Sequence, residues 1–261
     1  MNGSIIWHRM SGDDRRQSTL TGDAPKELTT DDLVLSAHTA GNAEVFPKVL
    51  DLHLETGSKV ADVTYGKGVF WKQIPETAYD VHGTDLDPEK SPTDESVDCR
   101  NLPYDDDTFD AVVLDPPYAE GYFRRNKDML AGGGSHKSFR DAYSNGEVVE
   151  TNGSKYHEAV IDLYCGAGTE AKRVLKDDGK LIVKTQDEVS ANTQELTHVQ
   201  IINFYEGELG MYTKDLFVVV RANAPHQTGM HNQVHARKNH SYFLVFEMDE
   251  TPANVPYQSD N

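Results

Sequence analysis

Short apolar runs alternate with longer polar segments along most of the chain, a pattern typical of strands joined by helices and loops. Four early runs have strand character and lie at 59–63, 79–84, 97–99 and 110–114. Four later apolar runs lie at 180–184, 201–205, 216–220 and 242–246, and the last two are rich in β-branched and aromatic residues. Because the early runs are short and separated by 10 to 15 residues, they predict βαβ units and a parallel sheet with helices on both faces.

Two segments carry apolar residues at helical spacing. The first predicts a short helix over 46–54, with Pro47 in its first turn, where proline is tolerated. The second predicts a long helix over 156–175, interrupted by Gly166 and Gly168.

The distribution of polar and turn-forming residues predicts one doubly wound α/β domain with appended segments. The first 40 residues are polar and turn-rich, which favours an irregular arm over residues 1–40. The domain itself is expected over 41–249, with inserted loops at 119–154 and 223–240, and the polar end of the chain, 250–261, is expected to form a tail.

The net charge of the chain restricts how it could bind a nucleic acid. The chain of 261 residues carries 43 acidic and 25 basic side chains, a net charge of −18. Such a surface repels phosphates, so a DNA or RNA ligand requires a local basic face. An acidic shell is also a feature of proteins from salt-loving organisms, and a halophilic host is a hypothesis for the origin of the chain.

No run of 18 apolar residues occurs, and the N-terminal sequence lacks the pattern of a secretory signal, so a cytoplasmic protein without membrane contact is expected. Cys99 and Cys165 are the two cysteines, and their separation offers neither a disulfide framework nor a paired-cysteine metal site. We therefore predict two buried thiols and no bound metal.

A glycine-containing loop comes after the first predicted strand. Residues 62–68 read DVTYGKG, in which Gly66 and Gly68 allow a tight turn and a close approach of the backbone to a ligand. This spacing alone is also compatible with an ordinary turn. Its interpretation depends on the residues at the ends of the neighbouring strands.

Acidic residues follow the next two predicted strands. Asp85 comes about 20 residues after the glycines, the position from which a carboxylate binds ribose hydroxyls, whereas Asp87 beside Pro88 is expected to cap a helix. Asp98 follows the third strand and could accept a hydrogen bond from an adenine amino group, although a surface turn fits the same spacing.

A diproline corner stands directly after the apolar strand 110–114. It consists of Asp115, Pro116, Pro117 and Tyr118. The two prolines stiffen the backbone and end the strand, which holds a carboxylate, a carbonyl and an aromatic ring in a fixed array. Such an array suits a flat ring bearing an amino group, because the two oxygens accept its two hydrogens while the phenol ring stacks.

With these motifs in their order, the chain resembles the amino-methylating DNA methyltransferases that use S-adenosylmethionine, over about residues 46–248. The motifs of that family are DPFxGxG, an acid after the second strand, an acid after the third strand and (D/N/S)PPY. In this chain they read DVTYGKG, GTDLDP, DCRNLP and DPPY, in the same order. Val63 and Thr64 stand where the family usually has Pro-Phe. The resemblance implies a Rossmann-like class I methyltransferase fold, a seven-stranded, mostly parallel sheet with an antiparallel last strand.

The resemblance also assigns roles to residues. The catalytic set that it implies comprises Asp115, Pro116, Pro117 and Tyr118. The set that it implies for S-adenosylmethionine comprises Asp62, Thr64, Gly66, Gly68, Asp85, Leu86, Asp98 and Cys99. The implied reaction is methyl transfer to the exocyclic amino nitrogen of a flipped base.

A basic cluster after the diproline corner is the predicted nucleic-acid face. Between residues 124 and 140 five bases accompany one acid, a local excess of positive charge in an acidic chain. The predicted contacts here are Tyr122, Phe123, Arg124, Arg125, Lys127, Lys137 and Arg140. A second candidate face is the loop 223–240, where Arg237 and Lys238 are predicted to contact phosphates or bases, and a histidine metal site is disfavoured because no acid or cysteine accompanies its histidines.

Several functions remain compatible with the sequence. The acid before the diproline favours adenine N6, with N4-cytosine methylation in DNA and guanine-N2 methylation in tRNA as alternatives. An Asp in place of Asn at position 115 disfavours a protein-glutamine methyltransferase. A noncatalytic Rossmann module that binds a nucleotide belongs to a different class of function. The sequence indicates neither the recognition site nor the oligomeric state, and a viral or restriction-system role stays open.

Overall fold

A computed structural model describes residues 33–118, 156–221 and 233–248. The chain divides into two units, Met1–Val34 and Leu35–Asn261, and all the described elements belong to the second. Its strands are β1 (Ala37–Thr39), β2 (Lys59–Asp62), β3 (Asp80–Gly83), β4 (Phe109–Leu114), β5 (Leu175–Thr185), β6 (Glu188–Ser190), β7 (Thr193–Glu195), β8 (Met211–Val220) and β9 (His240–Met248). Its helices are α1 (Asn42–His53), α2 (His157–Val174), α3 (Thr197–Gly207) and a 3-10 helix at Phe70–Gln73.

Seven strands form one sheet in the order β1-β8-β9-β5-β4-β2-β3, and β6 and β7 form a separate hairpin. All neighbours in the large sheet are parallel except the pairs made by β9, which runs antiparallel to both β5 and β8. This is the predicted Rossmann-like α/β fold with an antiparallel last strand, so the fold class is confirmed.

One member of the sheet differs from the prediction. The run at 97–99 forms no strand, and only an isolated bridge joins Ser96 to Asp85. The chain turns there because the Asp98 carboxylate accepts the amide hydrogen of Arg100, and the Asp98 carbonyl accepts that of Asn101. The seventh strand is instead β1, which lies inside the stretch predicted as an irregular arm and pairs with β8.

Helix α1 covers one face of the sheet. Its buried residues Val45, Phe46, Val49 and Leu50 recur at helical spacing, and the ring of Phe46 lies 5.8 Å from that of Phe243 on β9. The helix begins four residues earlier than predicted because Gly41 and Glu44 cap it: the Gly41 amide donates to the Glu44 carboxylate and the Glu44 amide to the Gly41 carbonyl.

This earlier start changes the position of Pro47. The prediction of a proline in the first turn is wrong, since Pro47 lies inside the helix. The helix therefore lacks one internal hydrogen bond at that point.

Helices α2 and α3 cover the opposite face. The apolar side chains of β4, β5 and β9 that point to this face form one buried cluster with residues from both helices. Helix α2 is continuous, which corrects the predicted interruption at Gly166 and Gly168. Gly168 instead makes room for Tyr205 of α3, whose hydroxyl donates to the Tyr164 carbonyl at 2.8 Å. None of the helices in the described segments is long and apolar enough to cross a membrane.

Two histidines attach the β6–β7 hairpin to these helices. His157 of α2 lies 2.8 Å from the Glu188 carboxylate and 3.0 Å from the Gln200 amide oxygen. His198 of α3 lies 2.6 Å from Asp187. The hairpin is thereby fixed beyond the carboxyl end of β5.

The packing at Gly168 yields a test of stability. An added Cβ would lie 2.5 Å from the Tyr205 ring, so Gly168→Ala should lower the free energy of unfolding by about 1–3 kcal/mol, measured by urea denaturation. Gly207→Ala, at the end of α3 with no atom within 4 Å of the new methyl, is the control and should be neutral or stabilising by up to about 1 kcal/mol. Equal effects of the two substitutions would contradict this packing.

Candidate active site

A cavity of about 170 Å³ opens at the carboxyl ends of β2, β3 and β4. This edge is where open α/β sheets bind their ligands. Predicted site residues that line the cavity are Asp62, Thr64, Gly66, Asp85, Leu86, Asp98, Cys99, Asp115, Pro116 and Pro117. The structure therefore brings the glycine loop, both later acids and the diproline corner to one cavity.

The glycine loop turns sharply after β2. Gly66 and Gly68 have φ angles of 59° and 60°, in the left-handed region that favours glycine. The Gly66 amide donates to the Asp85 carboxylate at 2.9 Å. At Gly68 a side chain would collide with Tyr65, whose hydroxyl oxygen lies 2.8 Å from the position of an added Cβ. Gly68 is therefore needed for the shape of the loop, although it does not line the cavity.

Asp62 is buried at the start of this loop. Its two carboxylate oxygens accept hydrogen bonds from the Thr64 amide at 3.2 Å and from the Trp71 indole at 2.7 Å. Burial raises the pKa of the carboxyl to about 7, although these hydrogen bonds lower it, and the charge of Asp85 adds to the rise. Asp62 is thus a group that a nearby positive charge would readily ionise.

Asp85 connects two turns at the edge of the cavity. One oxygen accepts the Gly66 amide and the other accepts the Asp87 amide, both at 2.9 Å. Each oxygen keeps capacity for a further hydrogen bond, as a ligand hydroxyl would require. Asp87 caps a turn rather than the predicted helix, since its carboxylate accepts the Glu89 amide at 3.1 Å and pairs with Lys90 at 3.0 Å.

One part of the cavity wall is formed by Leu86, Asp98 and Cys99 and combines apolar side chains with one ion pair. Leu86 is half exposed, and Cys99 is buried. Burial raises the pKa of the Cys99 thiol to about 12, which excludes a thiolate nucleophile at neutral pH. The Asp98 carboxylate pairs with Arg100 at 2.6 Å; partial burial raises its pKa, but the hydrogen bonds from Arg100 outweigh this, and the pKa is lowered.

The diproline corner is tied to the glycine loop. The Asp115 amide donates to the Thr64 hydroxyl at 2.6 Å, which joins the residue after β4 to the residue that stands where the similar family has Phe. Asp115, Pro116 and Pro117 all line the cavity. The acceptor oxygens of the corner are therefore held next to the loop that follows β2.

The Tyr118 ring does not lie in the cavity, where it would have to lie in order to stack on a base. Its side chain is 6% exposed, packs in the core with α2, and does not line the cavity. Its hydroxyl accepts a hydrogen bond from the Arg221 guanidinium at 3.4 Å. In this conformation the Tyr118 ring anchors the corner to the core.

Sequence reasoning missed other residues that line the cavity, namely Asn42, Val63, Tyr65, Lys67, Val69, Phe70, Lys90, Val97 and Leu163. Most of them neighbour a predicted motif, and proximity in sequence could have suggested them. Asn42 and Leu163 lie on α1 and α2, and only the folded topology brings them to the site.

Comparison with known proteins identifies the family. The model of a family described as DNA methylase matches residues 109–260, more than half of the chain, including the diproline corner and strands β4, β5, β8 and β9. The chain belongs to this family. No curated protein matches the chain.

Solved structures with similar folds are distant in sequence. TrmN from Thermus thermophilus is 15% identical with a TM-score of 0.44, over 79% of this chain and 49% of that one. A 1,6-didemethyltoxoflavin-N1-methyltransferase from Burkholderia thailandensis, with bound S-adenosylhomocysteine, is 11% identical with a TM-score of 0.46, over 79% and 77%. The cytosine-N4-specific PvuII DNA methyltransferase is 12% identical with a TM-score of 0.38, over 57% and 46%. The chain spans about half the length of TrmN.

The cavity fits S-adenosylmethionine, the methyl donor that the resemblance of the sequence implies. The molecule combines a flat adenine, a ribose with two hydroxyls and a charged amino-acid end. The cavity offers the partly exposed apolar side chain of Leu86, a carboxylate with unused acceptor capacity at Asp85, and the buried, readily ionised Asp62. These groups match the three parts of the cofactor in kind.

The predicted nucleic-acid contacts are only partly described. Tyr122, Phe123, Arg124, Arg125, Lys127, Lys137 and Arg140 lie outside the described residues. Arg237 is exposed, whereas the Lys238 ammonium donates to the Gln194 side chain of the β6–β7 hairpin. Across 33–118, 156–221 and 233–248, no group of three His, Cys, Asp or Glu side chains is arranged to hold a metal ion.

The buried carboxyl of Asp62 predicts a pH dependence of stability. Because its pKa is raised from 3.8 to about 7, the folded protein binds this proton more tightly than the unfolded chain, and stability falls as pH rises from about 4 to about 7. Asp62→Asn should remove roughly 2–4 kcal/mol of that fall, measured as the free energy of unfolding of the cofactor-free protein at each pH.

The matched substitution is Asp105→Asn, at an exposed position of a turn. It should leave the wild-type pH dependence in place. If Asp62→Asn showed the same pH dependence as wild type, Asp62 would not be a buried, proton-binding group.

Proposed function

We propose that this DNA methylase transfers a methyl group from S-adenosylmethionine to the exocyclic amino nitrogen of a base in DNA, with adenine N6 as the favoured target. The observation that carries the proposal is the hydrogen bond between the Asp115 amide and the Thr64 hydroxyl. It supports the proposal because it links the diproline corner to the glycine loop, which would hold the cofactor. Binding of the donor and presentation of an amine then occur in one cavity.

Each part of the cofactor has a partner in this proposal. Asp85 binds the ribose hydroxyls, Leu86 and Cys99 flank the adenine ring, and Asp98 accepts its amino group. Asp62 and Thr64 lie at the amino-acid end, and Gly66 and Gly68 let the loop pass closely around it. The support is the common cavity for seven of these residues and the left-handed turn at the glycines.

When bound, S-adenosylmethionine supplies a methyl group on a positively charged sulfur. The lone pair of a base amine is delocalised into its ring, so the protein must orient the amine. Asp115 and the carbonyl of Pro116 would accept its two hydrogens, which favours a lone pair directed at the cofactor, and Pro117 fixes the turn. Orientation of this kind reaches about 7–11 kcal/mol in ideal cases, and Asp115 also offers an acceptor for the proton that the amine releases.

A base in a duplex cannot reach such a cavity, so the proposal includes flipping of the target base. Tyr118 is buried in the described conformation and would serve as anchor of the corner unless its ring turns outward. Tyr122 and Phe123 are then the candidates for stacking on the base. Tighter binding to mismatched targets is the measurable sign of flipping, since an unpaired base costs less to extract.

Two experiments separate the alternatives. Isothermal titration with S-adenosylmethionine distinguishes a methyltransferase from a nucleotide-binding module of another specificity. Mass analysis of nucleosides from DNA and RNA co-expressed with the protein then distinguishes N6-methyladenine, N4-methylcytosine and N2-methylguanine. The proposal expects N6-methyladenine in DNA, and methylated guanine in RNA without any DNA product would refute it.

The role of Asp115 gives the central prediction. Asp115→Ala removes the acceptor of the amine hydrogen but keeps the backbone amide that binds Thr64, so methyl transfer should fall by a factor of about 10² to 10³ or more. Cofactor affinity, measured by isothermal titration, should remain close to wild type. Asp105→Ala, at an exposed turn, is the matched control and should retain full activity. Full activity of Asp115→Ala would overturn the assignment.

A second prediction concerns DNA contacts. Because the net charge is −18, binding requires local bases, and Arg237 is an exposed one near the carboxyl edge of the sheet. Arg237→Gln should weaken DNA binding and reduce the slope of log K against log salt by about 1. Lys48→Gln, on the exposed side of α1, changes the net charge equally and should leave the slope unchanged. Equal slopes for both variants would show that residue 237 faces away from DNA.

A further inference from the structure

A buried lysine lies beside the diproline corner in the register of the sheet. Leu114 of β4 pairs with Val183 of β5, so the next residues along the two parallel strands are Asp115 and Lys184. Neighbouring positions of parallel strands direct their side chains to the same face. For these two residues it is the face covered by α1, because Lys184 lies against Phe243, whose ring contacts Phe46 of α1.

The surroundings of Lys184 leave its charge out of contact with water. The side chain is 1% exposed. Its ammonium donates to the Ser241 hydroxyl and lies 4.7 Å from the centre of the Phe243 ring. A hydroxyl and an aromatic ring stabilise a cation only weakly, so a buried ammonium needs an opposite charge nearby.

Asp115 supplies that charge. Burial lowers the pKa of Lys184 to about 7, the charge of Asp115 opposes this by raising it, and the charge of Arg221, which follows β8, lowers it further. The Tyr164 hydroxyl of α2 donates to the backbone carbonyl of Lys184 and not to its side chain. Among the described residues, Asp115 is the acid whose charge acts favourably on Lys184.

We propose that Lys184 is a positioning residue for methyl transfer: its ammonium keeps the Asp115 carboxylate ionised and directed towards the amino group of the target base. The inference rests on the proposed role of Asp115. An ionised carboxylate is an acceptor only, so it binds both an amine hydrogen before transfer and the released proton afterwards. A protonated Asp115 would donate instead and would turn away from the amine.

The kinetic test compares Lys184→Met with wild type over a range of pH. Methionine has a similar length and fills the apolar site without a charge. The expected result is a fall in kcat of about tenfold or more at pH 7, with little change in the KM for S-adenosylmethionine. In wild type, kcat should also decline as pH rises above 7, because a neutral Lys184 no longer directs the Asp115 carboxylate, whereas the variant should lack this decline. Lys180→Met, on the same strand in a partly buried ion pair with Glu247, is the control and should keep the wild-type profile.

A second measurement does not depend on the substrate. In protein labelled with ¹³C at the aspartate carboxyls, the Asp115 signal is assigned by its loss in Asp115→Asn, and its titration is followed by NMR. Lys184→Met should move the titration of this signal to higher pH by about one unit or more. If wild type methylated no nucleic acid, the proposed function would fail while this measurement would still report on the pair.

The outcomes decide the inference in each case. A folded Lys184→Met protein with unchanged kcat, pH profile and Asp115 titration would overturn it. If Lys184→Met did not fold, Ser241→Ala would take its place, because it removes the hydroxyl that holds the ammonium and keeps the lysine. That variant should shift the Asp115 titration measurably, and an unshifted titration would also overturn the inference.

Discussion

The site depends on one hydrogen bond, which the Asp115 amide donates to the Thr64 hydroxyl. Thr64 belongs to the loop after β2 and Asp115 to the corner after β4, and β2 and β4 are neighbours in the sheet. Parallel pairing brings the two strand ends to one edge of the sheet, but it does not fix the directions in which the two loops leave the sheet. The hydrogen bond fixes them relative to each other, since an amide leaving the sheet here needs an acceptor. The family usually places a phenylalanine at position 64, so this chain connects the two loops by polar contact.

The corner is held at both ends, and this explains the burial of Tyr118. At one end Asp115 binds Thr64, and at the other the Tyr118 ring packs into the core with its hydroxyl on Arg221. Pro116 and Pro117 between them have fixed φ angles and donate no hydrogen bonds. A segment fixed at both ends, with two prolines between, presents its acceptors with little conformational freedom. In the proposed reaction, that rigidity would lower the entropic cost of orienting a weakly nucleophilic amine.

The sequence predicted the parts of the structure that local patterns encode. The strands at 59–63 and 110–114 and the long helix ending near Val174 follow from periodicity, and the meeting of Gly66 and Asp85 at one cavity follows from motif order. Tertiary contacts decided the rest. The run at 97–99 turns because Asp98 binds the next amides, and no local pattern distinguishes that from a short strand. Asp115, whose charge acts on Lys184, is 69 positions away in the chain, so a lysine that ends an apolar run gave no sign of its burial.

The charged groups that line the cavity have a different arrangement from those of the chain as a whole. The chain as a whole is strongly acidic, which disfavours contact with a polyanion. At the cavity, however, three carboxyl groups each have a neighbour: the buried Asp62 accepts hydrogen bonds from an indole and an amide, the partly exposed Asp98 pairs with Arg100, and the charge of the half-buried Asp115 acts on Lys184. Buried groups are screened little by salt, whereas surface repulsion is screened strongly. In the proposed function, the hydrogen bonds of the buried Asp62 should therefore depend little on ionic strength, whereas the approach of a nucleic acid should depend on it strongly.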